Sequence, residues 1–215
     1  MKNCLIFRGG WNGHDPFPTS DLVAEQLRKH DINVDLFDSQ DPLTDPDLKT
    51  KYDLIVPVWT MGSIANEAEK GLLDAVRSGV GIGGWHGGMG DAFRQNTEYQ
   101  FMVGGQWVAH PGNIIDYRVE ITEKENPIVS GIEDFQMHSE QYYMHTDPGN
   151  HVIAVTRFSG EHAPWIAGTV MPVVWTRHYG QGRVFFSSLG HTIEDFKRNP
   201  QILEITVRGL LWAVR

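Results

Sequence analysis

The sequence predicts an α/β fold, in which a mostly parallel, doubly wound sheet is extended by antiparallel strands in the C-terminal half. As far as Trp85, short apolar runs alternate with helical patterns. This rhythm is typical of βαβ units with right-handed crossovers. Beyond Trp85 the strand patterns follow one another and include a glycine turn. No linker or repeat interrupts the chain, so one domain over residues 1–215 is expected.

The first half begins with the apolar run Asn3–Phe7, which predicts a buried strand ending at Arg8-Gly9-Gly10. Thr19, Ser20 and Asp21 are candidate N-caps for the first helix, because their side-chain oxygens can accept from free backbone N–H groups. The other elements expected in this half are strand Ile32–Phe37, loop Asp41–Asp47, strand Asp53–Trp59, helix Ile64–Ser78 and strand Val80–Trp85.

The second half contains two isolated strand patterns, Ile114–Thr122 and His151–Phe158. Val170–Tyr179 and Arg183–Ser188 then read as a hairpin joined by a turn with two glycines. Pro200–Val214 has apolar residues at helical spacing and a proline in its first turn, which predicts a closing helix. These strands would extend the sheet in the antiparallel direction.

Composition excludes several classes of function. The chain has 215 residues and carries 27 acidic and 18 basic side chains, a net charge of −9 at pH 7. An acidic chain without a basic run is a poor candidate for binding nucleic acid or an anionic membrane. No apolar run reaches the ~20 residues of a membrane span, and the N-terminus lacks the apolar stretch of a signal peptide. We therefore expect a cytoplasmic protein that acts on a small molecule or a protein.

A single cysteine, Cys4, excludes an internal disulfide and any cysteine-based zinc site. By contrast, ten His and seven Trp are unusually many. Ligands of open α/β sheets bind beyond the carboxyl ends of the strands. Histidines and tryptophans follow several predicted strands, and these are Trp11 and His14, Trp59, Trp85 and His86, and His191.

The strongest local signal is Gly84-Trp85-His86-Gly87-Gly88 between a predicted strand and a helix. It has the form of a nucleophile elbow, G-x-Nu-x-G, with His86 in place of Ser or Cys. A histidine at a helix N-terminus is favoured in its neutral form, which suits a general base, a hydrogen-bond donor or a metal ligand. The alternative is that the glycines allow close packing and His86 caps the turn.

Other candidate groups lie further along the chain. His191 follows a predicted strand and precedes Glu194, a carboxylate that could orient it. Glu140 would share a face with His138 if that segment is extended, or would lie in a polar loop. His110, before Pro111-Gly112, either reaches the site or ends a turn. Glycines at Gly79–Gly84 precede or lie within a strand rather than following one, so NAD binding is disfavoured.

Taken together, these motifs resemble the trehalose-utilisation (ThuA-like) family. The elbow carries the resemblance, together with four further stretches: Phe101–His110, Glu140–Tyr143, Pro172–His191 and the closing Gly209–Ala213. The resemblance implies a class I glutamine-amidotransferase-like fold, which is a flavodoxin-like sheet and agrees with the pattern above. In the amidotransferase relatives the elbow holds a catalytic Cys, and a His-x-Glu pair follows a late strand. Here the elbow holds His86, and Glu194 is three residues after His191, so glutamine hydrolysis does not transfer.

The resemblance suggests bacterial sugar metabolism, with a disaccharide or keto-sugar as substrate and hydrolysis or isomerisation as reaction. The expected catalytic residues are His86, His191 and Glu140. The expected metal ligands for a divalent ion such as zinc or manganese are His14, His86, His110 and His191. The expected substrate-binding residues are Arg8, Trp11, Trp59, Trp85 and Tyr143, with the aromatic rings stacking on sugar faces.

Two alternatives remain open. Without a metal, His86 and His191 would shuttle protons around a keto-sugar. Alternatively, the fold would be a non-catalytic module that binds a sugar or a partner protein, since loss of the elbow Cys fits that role as well. Exposed Trp and Phe side chains could form a homo-oligomer face.

Overall fold

A nine-stranded sheet forms the centre of the computed structural model, which describes all residues from Met1 to Arg215. Its first half consists of β1 (Lys2–Gly10), α1 (Pro16–Lys29), β2 (Ile32–Phe37), α2 (Leu48–Lys51), β3 (Leu54–Thr60), α3 (Asn66–Arg77), β4 (Gly81–Trp85) and α4 (His86–Gly90). The remainder consists of α5 (Thr97–Val103), β5 (Gly105–Ala109), β6 (Ile114–Ile121), β7 (Phe135–Glu140), β8 (Tyr143–Thr146), β9 (His151–Arg157), β10 (Val170–Tyr179), β11 (Gly182–Ser187), α6 (Ile193–Arg198) and α7 (Pro200–Ala213).

The strand order is β2-β1-β3-β4-β11-β10-β9-β6-β7. The five strands from β2 to β11 are parallel, whereas β10, β9, β6 and β7 pair antiparallel with their neighbours. The sheet is therefore doubly wound and mostly parallel in its first part, with an antiparallel extension, as predicted. No helix combines the length and the apolar character that crossing a bilayer requires.

Two hydrophobic cores cover the two faces of the sheet. On one face, apolar residues of α1 and α7, such as Leu27 and Ile205, pack against alternate residues of β1 and β3. On the other face, residues of α3 and α5, such as Leu72 and Met102, pack against the intervening strand positions. Because successive side chains of a strand point to opposite faces, the continuous apolar runs of β1 and β3 fill both cores.

Two antiparallel strand pairs, β6–β7 and β5–β8, extend beyond the central part of the sheet. β6 pairs with β9 only through Val119–Ile121, whereas its first half, from Ile114, pairs with β7 alone. The free end of this ribbon joins Ile114 to Glu140, the last residue of β7. A separate two-stranded sheet joins β5 to β8, with an irregular register between Trp107 and Ala109.

The predicted elements match the structure with one shifted start and several omissions. The first helix begins at Pro16 rather than after Thr19–Asp21, because Pro16 suits the first helical position. Thr19 and Ser20 are instead buried inside the helix, where their hydroxyls donate to backbone carbonyls of the preceding turn. The expected loop Asp41–Asp47 contains a short 3-10 turn. The sequence patterns did not predict α2, α5, β5, β7, β8 or α6 as regular elements.

Candidate functional site

Four distant chain segments bring His14, His86, Glu140 and His191 into one cluster. His14 ends a 3-10 turn after β1, His86 begins α4, Glu140 ends β7 and His191 follows β11. One side-chain ligand atom from each residue lies within 4.8 Å of those of the other three. His14, His86 and Glu140 are buried, and His191 is half-buried.

The elbow geometry explains how two histidines approach so closely. His86 has a φ of 45°, a left-handed conformation that non-glycine residues seldom adopt and that is typical of strained functional turns. A Cβ at Gly87 would lie 2.2 Å from Nδ1 of His14, and one at Gly88 would lie 3.1 Å from the Val58 Cα. Glycine at these two positions leaves room for His14 beside His86 and for α4 against β3.

The Glu140 carboxylate is the centre of the cluster. Its Oε2 lies 3.1 Å from Nε2 of His86 and 3.7 Å from Nε2 of His14. Its Oε1 lies 3.6 Å from Nε2 of His191 and 3.6 Å from Nε2 of His110. Four imidazoles therefore present the same nitrogen to one carboxylate.

The two deepest histidines are oriented by partners on their other nitrogen. Nδ1 of His86 lies 2.9 Å from the Ser188 carbonyl oxygen, and Nδ1 of His14 lies 3.0 Å from the Thr60 hydroxyl. The Tyr142 ring stacks on His86 at a centroid distance of 4.0 Å. Such contacts fix ring orientation and tautomer, as around the histidine ligands of metal sites.

The hydrogen-bond pattern at His86 leaves two acceptors facing each other. A carbonyl only accepts, so Nδ1 of His86 donates to Ser188, and Nε2 of the neutral ring carries a lone pair. That lone pair lies 3.1 Å from Oε2 of Glu140, which also only accepts when ionised. Two acceptors at this separation repel each other unless a positive charge lies between them.

The charge states of the clustered groups follow from their burial and from their neighbours. Burial lowers the pKa of His86 to about 3, and this outweighs the opposing influence of Glu140. Burial raises the pKa of Glu140, but the surrounding imidazoles, His14 foremost, lower it more, so its pKa ends well below the usual range. Burial also lowers the pKa of His191. At neutral pH the cluster is therefore an ionised carboxylate surrounded by histidines, of which His86 is neutral.

This donor set fits a divalent metal ion. Zinc is bound by imidazole nitrogen at about 2.0–2.1 Å and by carboxylate oxygen at similar distances, so donors of one ion lie roughly 3–4 Å apart. The separations of 3.1–3.7 Å around Glu140 are of this size. A cation between His86 and Glu140 would also remove the repulsion between their lone pairs.

His110 differs from the other three histidines. It is the most exposed of the four, with 26% of its side chain accessible, and it lies outside the four-residue cluster. Its Nδ1 is buried without a hydrogen-bond partner. Of the four residues expected as metal ligands, three lie in the cluster: His14, His86 and His191. Glu140 is the fourth member, and His110 lies beside it.

The expected substrate-binding residues separate into two groups. Trp11 is half exposed and meets the His14 ring edge-on at 4.9 Å, so it lies beside the cluster. Trp85, in contrast, is buried against Phe196 and offers no face to a sugar. The prediction for Trp85 is wrong, because the elbow turns the residue before His86 into the core.

The remaining three are engaged elsewhere. Trp59 packs against Phe7, and Tyr143 packs against Phe158. Arg8 forms ion pairs with Asp21 at 2.5 Å and Asp38 at 2.7 Å, and its charge is therefore already neutralised.

Several residues at the site were missed by the sequence patterns. Tyr142 stacks on His86, and the Trp107 ring lies 5.6 Å from that of His110. Arg94 covers the Trp107 ring and pairs with the buried Asp91 through two hydrogen bonds. The Phe101–His110 and Glu140–Tyr143 stretches carried the family resemblance, and that was the available signal for Trp107 and Tyr142.

The carboxylate that contacts His191 is Asp195, not the expected Glu194. Glu194 is exposed and pairs with Lys197, so it does not orient His191. Asp195 is buried instead and accepts a hydrogen bond from the His191 backbone. His138, two residues before Glu140 on β7, is exposed, pairs with Asp116 and lies outside the cluster.

Comparison with known proteins gives the family. The model of the trehalose-utilisation family, ThuA, matches residues 3–213. The chain belongs to the ThuA family. Membership places it among proteins associated with sugar utilisation, whereas no curated protein matches it significantly.

Solved structures with the same fold include further ThuA-like proteins. One from Bacteroides uniformis is 15% identical, with a TM-score of 0.81 over 99% of this chain and 91% of that one. One from Parabacteroides merdae is 19% identical, with a TM-score of 0.75 over 99% and 89%. A cytoplasmic protein of Salmonella typhimurium is 16% identical, with a TM-score of 0.63 over the full length of both chains. At these identities the comparison supports the fold of this ThuA family member, and its chemistry has to be argued from the site.

Proposed function

We propose that this ThuA family member is a cytoplasmic sugar-utilisation enzyme with a divalent metal centre. His14, His86, Glu140 and His191 would hold the ion, and the substrate would be a disaccharide or a keto-sugar. The observation that carries the proposal is the convergence of one ligand atom from each of these four residues within 4.8 Å, around the carboxylate of Glu140. A buried arrangement of this kind is costly without a cation to compensate it.

The donor set favours zinc over manganese. Three imidazole nitrogens and one carboxylate oxygen suit zinc, whereas manganese prefers oxygen donors. A divalent ion bound there would act as a Lewis acid. It would polarise a carbonyl, which serves isomerisation, or activate a water, which serves hydrolysis.

Other residues of the site would orient the metal ligands or contact the substrate. Ser188 and Thr60 orient the rings of His86 and His14, and Tyr142 fixes the plane of His86 by stacking. His110, as the most exposed histidine beside Glu140, would donate a hydrogen bond to an entering sugar. Trp11 would stack on an apolar sugar face, since its ring is half exposed next to His14.

Elemental analysis tests the proposal. Untagged protein purified without chelator or added metal should contain about one zinc ion per chain, as expected of a single four-ligand site. His86→Ala should lose the metal. His138→Ala should keep it, because His138 lies on the same strand as Glu140 but is exposed and outside the cluster.

A wild-type protein that contains no metal and binds none on titration with zinc, cobalt or manganese would contradict the metal centre. Retention of a full equivalent of zinc by His86→Ala would contradict the assignment of the site.

A further inference from the structure

The four proposed ligands are not held in the same way. His14 and His86 each have a partner on Nδ1, but the cluster contact is the only hydrogen-bonding or ionic contact of the His191 ring. His191 is instead positioned through its backbone, whose N–H donates to Oδ2 of Asp195 at 3.0 Å. The placement of this ligand therefore depends on a residue four positions further along the chain.

The same oxygen of Asp195 also holds the strand that carries Glu140. The Ser139 hydroxyl donates to Oδ2 at 2.5 Å, and Ser139 directly precedes Glu140 at the end of β7. The β6–β7 ribbon has no further partner strand at this end, so side-chain hydrogen bonds help to define where Glu140 lies. The Tyr117 hydroxyl donates to the Glu140 carbonyl, and the Ser139 bond to Asp195 holds the residue just before it. One carboxylate oxygen thus ties two ligand segments together.

A second carboxylate, that of Asp15, links the segment of His14 to the segment of His191. Oδ2 of Asp15 accepts from the backbone N–H of Ile193 at 3.2 Å, which joins the loop of His14 to the loop of His191. Asp195 itself is only 6% exposed, and it forms no ion pair. Burying an unpaired carboxylate is costly unless hydrogen bonds compensate it, so a buried carboxylate with this geometry indicates a specific role.

We propose that Asp195 is a positioning residue that sets the spacing between Glu140 and His191. This inference rests on the proposed metal centre. Charge-assisted hydrogen bonds are roughly twice as strong as neutral ones, so a carboxylate that accepts both bonds holds the two segments more firmly than an amide would. Without it, Glu140 and His191 would lose their spacing, while the rings of His86 and His14, held by Ser188 and Thr60, would keep their orientation.

Titration of the metal-free protein with Co²⁺, followed by visible absorption, tests this role. Asp195→Asn should raise the Kd for Co²⁺ by about 10–100-fold, the usual effect of losing a group that orients a metal ligand. It should also change the intensity of the Co²⁺ bands, since one ligand would be displaced. Glu194→Gln is the matched control, because Glu194 is the adjacent, exposed carboxylate of the same helix, and its Kd should stay within about twofold of the wild type.

Thermal unfolding of the metal-free variants separates positioning from general stability. A lower Tm with an unchanged Kd and an unchanged Co²⁺ spectrum would overturn the inference, because Asp195 would then only stabilise the fold. If Asp195→Asn does not fold, Ser139→Ala decides. That variant removes one of the two bonds to Asp195, and a Kd raised about fivefold supports the inference, whereas one within about twofold of the wild type overturns it.

The wild-type titration distinguishes the two proposals. If the wild type binds no Co²⁺ or zinc, the metal centre fails, and the positioning role fails with it. If the wild type binds the metal and Asp195→Asn binds it equally well with the same spectrum, only the positioning role fails.

Discussion

The two oxygens of Glu140 face different surroundings. Oε2 faces His86 and His14, which are buried and oriented by Ser188 and Thr60. Oε1 faces His191 and His110, which are more exposed and have no such partners on their rings. The Oε2 side of the carboxylate is therefore held rigidly, whereas the Oε1 side is accessible to a ligand. On this basis, two of the proposed ligands are held firmly on the Oε2 side, and the Oε1 side, where His191 would be the third histidine ligand, is where a substrate would enter.

The largest expected effect separates His86 from His110. His86→Ala removes a buried ligand, so zinc and sugar turnover should both be lost, with turnover falling by orders of magnitude. His110→Ala should keep the zinc and lower turnover by about 10²–10³-fold, the range typical of losing a hydrogen-bond donor in an active site. Metal analysis and turnover on the same preparations check both variants. Equal loss of zinc in the two variants would show that the two sides are not distinct.

A binding module would behave differently in the same experiment. His86→Ala would then lower affinity for the sugar without removing any turnover, because the wild type would have none.

The second prediction concerns the space between His14 and His86. Gly87→Ala would place a Cβ 2.2 Å from Nδ1 of His14, so His14 must move and zinc affinity should fall by more than tenfold, comparable to losing an oriented ligand. Gly168→Ala is the control, because a Cβ there meets nothing within 4 Å, although its φ of 79° disfavours alanine. The control should lower stability by roughly 1–2 kcal/mol and leave metal binding unchanged. Unchanged zinc affinity in Gly87→Ala would contradict the packing argument.

The third prediction concerns the pH dependence of the metal-free protein. Burial lowers the pKa of His86 from 6.5 to about 3, so between these values the unfolded chain binds a proton that the folded chain does not. Stability should therefore fall as the pH decreases below about 6.5, by up to ~1.4 kcal/mol per pH unit for this residue. The lowered pKa of His191 acts in the same direction, and so does that of Glu140 below about pH 4.5.

Urea unfolding of the metal-free protein at pH 7, 6 and 5 checks this dependence. His86→Gln, which has no titrating group at this position, should show a smaller slope than the wild type. A slope equal to that of the wild type would show that His86 is not the buried neutral histidine that this account requires.

The smallest effect is expected for Trp11, the half-exposed ring beside His14. Trp11→Ala should weaken sugar binding by about 2–10-fold, corresponding to the 0.5–1.5 kcal/mol of an aromatic stacking contact, and should leave zinc content unchanged. Trp165→Ala is the control, because Trp165 is 85% exposed and the structure shows no aromatic contact for it. Titration with trehalose or glucose, followed by calorimetry, measures both. Equal affinities in the two variants would remove Trp11 from the binding surface.

Much of the sheet could be predicted from the sequence. The continuous apolar runs of β1 and β3 and the glycine turn between β10 and β11 are local signals, and the boundaries they predict agree with the structure within a few residues. The elbow was also readable, because glycines around His86 indicate a tight strand-to-helix turn. The strands β7 and β8 were missed because they are short: the alternation of Phe135 and Met137 with polar residues spans only a few positions, and β8 has four residues.

Which groups meet at the site depended on tertiary structure. The sequence by itself determined the doubly wound sheet, the elbow and the positions of His14, His86 and His191 after strands. Only the fold decided that the β6–β7 ribbon brings Glu140 to these histidines, that Trp85 lies in the core, and that Asp195 rather than Glu194 contacts His191. The physical reason is the separation along the chain over which each kind of interaction acts. Hydrophobic period and turn chemistry act over a few residues, whereas the contacts of Glu140 with His14, His86 and His191 join segments that are far apart along the chain.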